Sequence, residues 1–156
     1  MRLIRQVLAS AALIGAAMVL PAAANAADKV CKLAISGNDL MQYDKQELVV
    51  AGDCTSVELT LTHTGKLPKE AMGHNWVLAA TPDLSAVASS GLTAGPANNY
   101  VDVKDKKVLA HTKLVGGGQS DTVTFPTSIL KKGGAYSYEC TMPGHNSVMH
   151  GVLKFG

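Results

Sequence analysis

Short segments of β character recur from residue 30 to residue 155, and each is cut off by turn residues. The clearest is Val57-Glu58-Leu59-Thr60-Leu61-Thr62, where Val57, Leu59 and Leu61 fall on one face and polar residues on the other. Val30–Ser36 alternates in the same way, and Glu47–Val50 follows the polar run Asp44-Lys45-Gln46. Trp76–Ala80, Val108–His111, Thr122–Phe125, Tyr136–Cys140 and Val152–Phe155 complete the set. Gly65, Gly73, Gly116-Gly117-Gly118 and Gly133-Gly134 punctuate them. Many short strands between such turns specify an all-β sandwich or barrel. One segment breaks the pattern. After Thr81-Pro82, residues Leu84, Val87 and Ala88 fall at i, i+3 and i+4, with Pro82 suited to a helix start and Gly91 to its end. One short inserted helix is expected there, followed by a loop over Thr93–Asn99.

The first 26 residues have a different character. Arg2 and Arg5 form a positive start, Val7 to Leu20 is uncharged and rich in Ala and Leu, and Pro21 ends the run. Ala24-Asn25-Ala26 has the small-x-small form of a cleavage site. Residues 1–26 are expected to be a cleavable signal peptide, leaving 27–156 as a single domain. A membrane anchor is the competing reading, since Gln6 to Ala27 is an uncharged span. The strongly apolar part is shorter than a bilayer requires, and the Ala-Asn-Ala motif favours removal. No stable membrane association is expected after cleavage.

The chain carries 14 Lys and Arg against 12 Asp and Glu, and both basic residues of the excess lie before Asp28. A near-neutral domain without a basic run excludes nucleic acid as a partner, because phosphate recognition needs clustered cations. The 3 cysteines are an odd number for an oxidising compartment. Cys31 and Cys54 both lie early in the domain. A bridge between them would close a short loop, worth roughly 3–4 kcal/mol in the chain-entropy account. Cys140 would then be left over, and a free thiol outside the cytosol needs an occupant.

Cys140-Thr141-Met142-Pro143-Gly144-His145-Asn146-Ser147-Val148-Met149 offers one. A thiolate, an imidazole and a thioether emerge within one loop between two strands. Soft sulfur donors with imidazole suit copper, and two His, one Cys and a weak axial Met form the blue-copper ligand set. Gly73-His74-Asn75-Trp76 supplies a second imidazole at a strand start, behind a glycine whose carbonyl could approach the ion. Any one of these residues alone would more often be core or surface. The Cys-x4-His-x3-Met spacing is far more specific than its parts.

On these residues the chain resembles the azurins, bacterial periplasmic blue-copper proteins of the cupredoxin family. The likeness extends through Leu67-Pro68-Lys69, Met72 to Leu78, Ala110 to Leu114 and Asp121 to Phe125, and so covers essentially the whole domain. The Cys-to-His gap separates it from plastocyanin-like and pseudoazurin-like proteins, whose gap is shorter. The resemblance implies a Greek-key, cupredoxin-like β-sandwich holding one copper ion near its end. It carries the equatorial ligands onto His74, Cys140 and His145, the weak axial positions onto Met149 and the Gly73 carbonyl, and the disulfide onto Cys31 and Cys54. Asn75 would tie the two ligand-bearing segments together. Met41, Leu67, Met72, Pro143 and Gly144 would surround the edge of His145 as an apolar partner patch. The function implied is periplasmic electron transfer by Cu(I)/Cu(II) cycling, with c-type cytochromes and nitrite reductase as partners, and without enzymatic chemistry. A monomer is expected.

Some positions depart from that pattern. Met142 stands where the family commonly has Phe, Glu139 where an aromatic residue is usual, and Ser147 makes the patch rim more polar. None removes a ligand. His63 aligns with a histidine near the site, read as a titrating residue in a strand-end loop, while His111 and His150 are assigned no metal role. Two other classes compete. A copper storage or delivery protein would favour an open, Met- or His-rich site. A thiol enzyme would use Cys140 as nucleophile with His145 or His74 as base, and leaves Met149 without a role.

Overall fold

The structure is a computed structural model that describes residues 28–156. The expected leader, residues 1–26, lies outside the described residues. Eight strands form two sheets: β1 (Val30–Gly37), β2 (Glu47–Val50), β3 (Ser56–His63), β4 (Val77–Ala80), β5 (Ala110–His111), β6 (Ser120–Pro126), β7 (Tyr136–Glu139) and β8 (His150–Phe155). One sheet has the order β1-β3-β6 and the other β2-β8-β7-β4-β5. The β1–β3 and β2–β8 pairs are parallel and the rest antiparallel. Of the two architectures expected, sandwich or barrel, the chain adopts the sandwich, because its sheets stay separate.

The alternation decides which faces meet. Val57, Leu59 and Leu61 are fully buried, as their shared face requires. With Ile35 and Phe125 they pack against Trp76 and against Leu48, Val50, Leu78, Tyr138, Leu153 and Phe155 of the other sheet. Burying each such aliphatic side chain contributes about 1.5–3 kcal/mol. Trp76 stacks on Phe125 with ring centroids 6.1 Å apart, so the single Trp is the packing anchor between the sheets. A disulfide joins Cys31 to Cys54 at the start of β1.

Several boundaries differ from expectation for identifiable reasons. Trp76 precedes β4 because its N–H goes to the Thr112 hydroxyl and not to a ladder partner. Val108 and Leu109 lie outside β5, since Val108 N–H closes a turn onto Asp105 O. Pro82 lies in a 3-10 turn over Thr81–Asp83, ahead of the helix proper. Residues Lys69–Met72 form a single turn, α1, that the sequence did not announce. The inserted helix, α2, runs Leu84–Ala94, past the expected end at Gly91. Gly91 is a packing position, where a Cβ would strike the Tyr100 carbonyl and crowd Thr141. The terminator is Gly95, whose φ of 76° only glycine adopts readily. A 3-10 turn at Pro96–Asn98 then occupies part of the expected loop. Helix α2 covers the outer face of the larger sheet, where Val87 packs with Val77, Ala79 and Val101.

Candidate metal centre

The candidate ligands come from strand ends that meet at one pole of the sandwich. His74 and Asn75 precede β4 with Trp76 between, Cys140 immediately follows β7, and Met149 immediately precedes β8. The register places these ends together, because Glu139 pairs with both Val77 and His150. The Cys140 Sγ lies 3.5 Å from His145 Nδ1 and 3.9 Å from His74 Nδ1. All three donor atoms lie within 4.8 Å of one another and all three residues are buried. Two donors sharing an ion at bond lengths of about 2.3 Å (sulfur) and 2.0 Å (nitrogen) would stand ~3.7 Å apart at a trigonal angle. The separations fit one ion, and the donor chemistry, thiolate with two imidazoles, fits copper. The Gly73 carbonyl oxygen is 3.9 Å from Cys140 Sγ. Met149 is fully buried beside them.

The histidine tautomers follow from what the other ring nitrogens do. His74 Nε2–H donates to the Asn38 carbonyl at 2.8 Å, which leaves the Nδ1 lone pair facing the cysteine. His63 sits under it. Gly65 N–H donates to His63 Nδ1 at 3.0 Å, so His63 Nε2–H donates to the Met72 carbonyl at 2.8 Å. His63 is fully buried at the end of β3, not a loop residue. Burial pushes the His74 imidazole down to about 4. It also lowers His145 and pushes the Cys140 thiol up to about 12. These shifts favour neutral imidazoles, as metal binding needs, while the thiol must give up its proton to the incoming ion.

A hydrogen-bond frame holds the cysteine loop to the β4 segment. Asn75 Oδ1 accepts the Thr141 N–H at 2.8 Å. Asn75 Nδ2 donates to the Thr141 hydroxyl at 2.7 Å and to the Asn99 carbonyl at 2.8 Å. The Thr141 hydroxyl donates onward to the Tyr100 carbonyl at 2.6 Å, and the Tyr43 hydroxyl to the Asn75 carbonyl. Asn99 and Tyr100 both hold positive φ, 56° and 55°, to present those carbonyls. Asn38, Asn99, Tyr100 and Thr141 were not singled out in the sequence, because three of them contribute carbonyls, which leave no side-chain signal.

The remaining named residues are placed as follows. Leu67 (42% exposed), Pro143 and Gly144 are exposed, while Met41 and Met72 are half-buried. The Asp39 carboxylate accepts the Lys66 and Leu67 N–H groups, and these bonds hold it below the usual carboxylate range. Met142 is buried, and with buried Leu114 and half-buried Tyr100 it lines the wall of a cleft of about 410 Å³. Glu139 shares with Val77 the face covered by α2. It is 2% exposed, and its Oε1 has no partner among the described residues. Burial raises its carboxyl to about 7. His150 is exposed and His111 half-buried on β5, and neither joins the donor cluster.

The comparisons with known proteins agree with this centre. Residues 29–156 match a family described as copper binding proteins, plastocyanin/azurin family. Azurin-1 of Alcaligenes xylosoxydans xylosoxydans is 48% identical over 124 residues, covering 80% of this chain and 96% of that protein. The azurin of Bordetella pertussis is 48% identical over 124 residues, covering 80% of this chain and 83% of that protein. The solved structure of the azurin Az-iso2 from the obligate methylotroph Methylomonas sp. strain J matches with a TM-score of 0.78 at 41% identity, covering 81% of this chain and 98% of that one. With the buried thiol and its two imidazoles already at one pole of a two-sheet sandwich, these matches show that the chain belongs to the plastocyanin/azurin family of copper-binding proteins.

Proposed function

We propose that the protein is a periplasmic blue-copper electron carrier that binds one copper ion and passes single electrons between redox partner proteins. The observation that carries this reading is the buried convergence of Cys140 Sγ with the Nδ1 atoms of His74 and His145. In it, His74, Cys140 and His145 would hold the ion, and the Met149 thioether and the Gly73 carbonyl would be its weaker neighbours. Bound there, copper supplies one-electron Cu(I)/Cu(II) chemistry. The chain supplies rigidity: strand ends, the Asn75–Thr141 frame and the Asn38–His74 bond keep the donors in place when the charge changes. Little movement means fast exchange. Residues 1–26 are read as the export signal, which puts the carrier in the periplasm. Among the described residues no helix is long and apolar enough to cross a membrane.

No group need act as acid, base or nucleophile. Cys140 is fully buried, which argues against a thiol enzyme. Buried donors equally argue against a storage or delivery role, which needs rapid metal exchange. Partners are read as redox proteins such as c-type cytochromes and nitrite reductase. They would meet the face formed by Met41, Leu67, Met72, Pro143 and Gly144 through a small apolar contact. A potentiometric titration of the copper-loaded protein tests the reading. A reversible one-electron wave per copper, with prompt oxidation of the Cu(I) form by an oxidised c-type cytochrome, is expected. Copper loss on reduction would overturn it.

A further inference from the structure

Strand β1 ends at Gly37, which pairs with His63 of β3 and bridges to Tyr43. Its carbonyl accepts the Thr64 N–H at 2.8 Å and the Thr64 hydroxyl at 3.0 Å, so Thr64 holds the backbone there through two bonds. The face of Gly37 that lacks a side chain is not open space. A Cβ built on it would lie 2.7 Å from the Met149 methyl carbon and 2.7 Å from His74 Cδ2. Real Cβ atoms do not approach that closely, so a neighbour would have to move. The His74 ring is the less able to do so. It is pinned at Nε2 by the Asn38 carbonyl and backed by the His63 ring, 4.3 Å away. The thioether, with its rotatable bonds, must yield first.

We propose that Gly37 is a positioning residue of the metal centre: its missing side chain forms the seat that holds the Met149 methyl beside the His74 ring, and so sets where the thioether stands against the three donors. The inference rests on the reading of Met149 as axial ligand. It names a residue with no donor atom of its own, on the sheet that supplies none of the ligands. Strand β1 thereby reaches the site as a backbone wall, and any side chain at position 37 displaces the axial group.

A double-substitution cycle between Gly37→Ala and Met149→Ala tests it, with Gly52→Ala as a control at the Lys132 and Gly156 end of the sandwich. In the copper-loaded protein, Gly37→Ala is expected to keep one copper per chain while shifting the thiolate-to-copper bands and widening the copper hyperfine splitting. On the Met149→Ala background the same change should shift the spectrum by less than half as much, the remainder coming from the His74 contact that this background keeps. The Gly52→Ala spectrum should equal the parent's. In the metal-free protein, Gly37→Ala should lower the melting midpoint by ~5 °C or more, and by less once Met149 is Ala, where only the His74 contact remains. That second readout needs no copper. A parent protein that fails to turn blue therefore tells against the electron-carrier reading, while the melting cycle still decides this one. If Gly37→Ala alone does not fold, recovery of folding in the double variant supports the proposal. An unchanged spectrum and midpoint, equal effects on both backgrounds, or a double variant that also fails to fold would overturn it.

Discussion

The imidazole of His63 lies flat on that of His74, with ring centroids 4.3 Å apart and planes 12° from parallel. Neither ring is exposed, and His63 is fixed by two hydrogen bonds of its own. His63 therefore acts as a floor for a ligand it does not join. Replacing it with Ala opens a cavity under His74 and unpairs the Met72 carbonyl. We expect His63→Ala to destabilise the metal-free protein by about 2–4 kcal/mol in urea denaturation. Copper release from the loaded protein, followed by chelator competition, should be faster as well.

Asn75 makes three hydrogen bonds that join the His74 segment to the Cys140 loop and to Asn99. Asn75→Leu leaves the Thr141 N–H and the Asn99 carbonyl without these partners. A loss of about 2–4 kcal/mol is expected in the same denaturation measurement. Thr141→Val removes only the hydroxyl, and a smaller loss of about 1–3 kcal/mol is expected.

Glu139 and His74 give the metal-free protein opposing pH responses. The Glu139 carboxyl stands near 7 in the fold against the usual 4.5, because it is buried. Between those values the folded chain keeps a proton that the unfolded chain releases, so stability is lost as pH rises through the window. The loss is on the order of 1–3 kcal/mol. The His74 imidazole stands near 4 against the usual 6.5, also through burial. The unfolded chain then takes the proton first, so this group removes stability as pH falls from 6.5 toward 4. The two slopes oppose each other over most of the range. Glu139→Gln removes one of them, and its unfolding free energy should fall more steeply with acid than the parent's.

The Cys31–Cys54 disulfide spans 23 residues and sits at the start of β1, whereas Gly37 at its end touches the metal centre. Six residues of strand separate them by roughly 20 Å. Cys31→Ser with Cys54→Ser should cost about 2–5 kcal/mol of stability and leave the copper spectrum unchanged. Calorimetry and the visible spectrum of the same sample check both halves.

What could be read from the sequence depended on where the information was kept. Val57, Leu59 and Leu61 announced their strand because one face is fully buried and the period of two records it. Cys140, His145 and Met149 were legible because one loop carries all three at a telling spacing. Asn38 and Gly37 were not, since one contributes a carbonyl and the other an absent side chain, both 36 or more positions from their targets. Helix α1 was invisible because a single turn has no periodicity. Gly91 reads as a helix end because a packing glycine and a capping glycine look alike until the Tyr100 carbonyl is placed against it. Glu139 lies on the outer face of its strand, with Val77. Its burial followed only from the position of α2 over the sheet.

The central claim is that Cys140, His74 and His145 jointly hold one copper ion. Titrating Cu(II) into the metal-free protein, while recording the visible and electron paramagnetic resonance spectra, tests it most directly. The account predicts an intense blue band that saturates at one equivalent, narrow copper hyperfine splitting, and loss of both in Cys140→Ser. A pale product with wide splitting, or a blue band that survives Cys140→Ser, would contradict it.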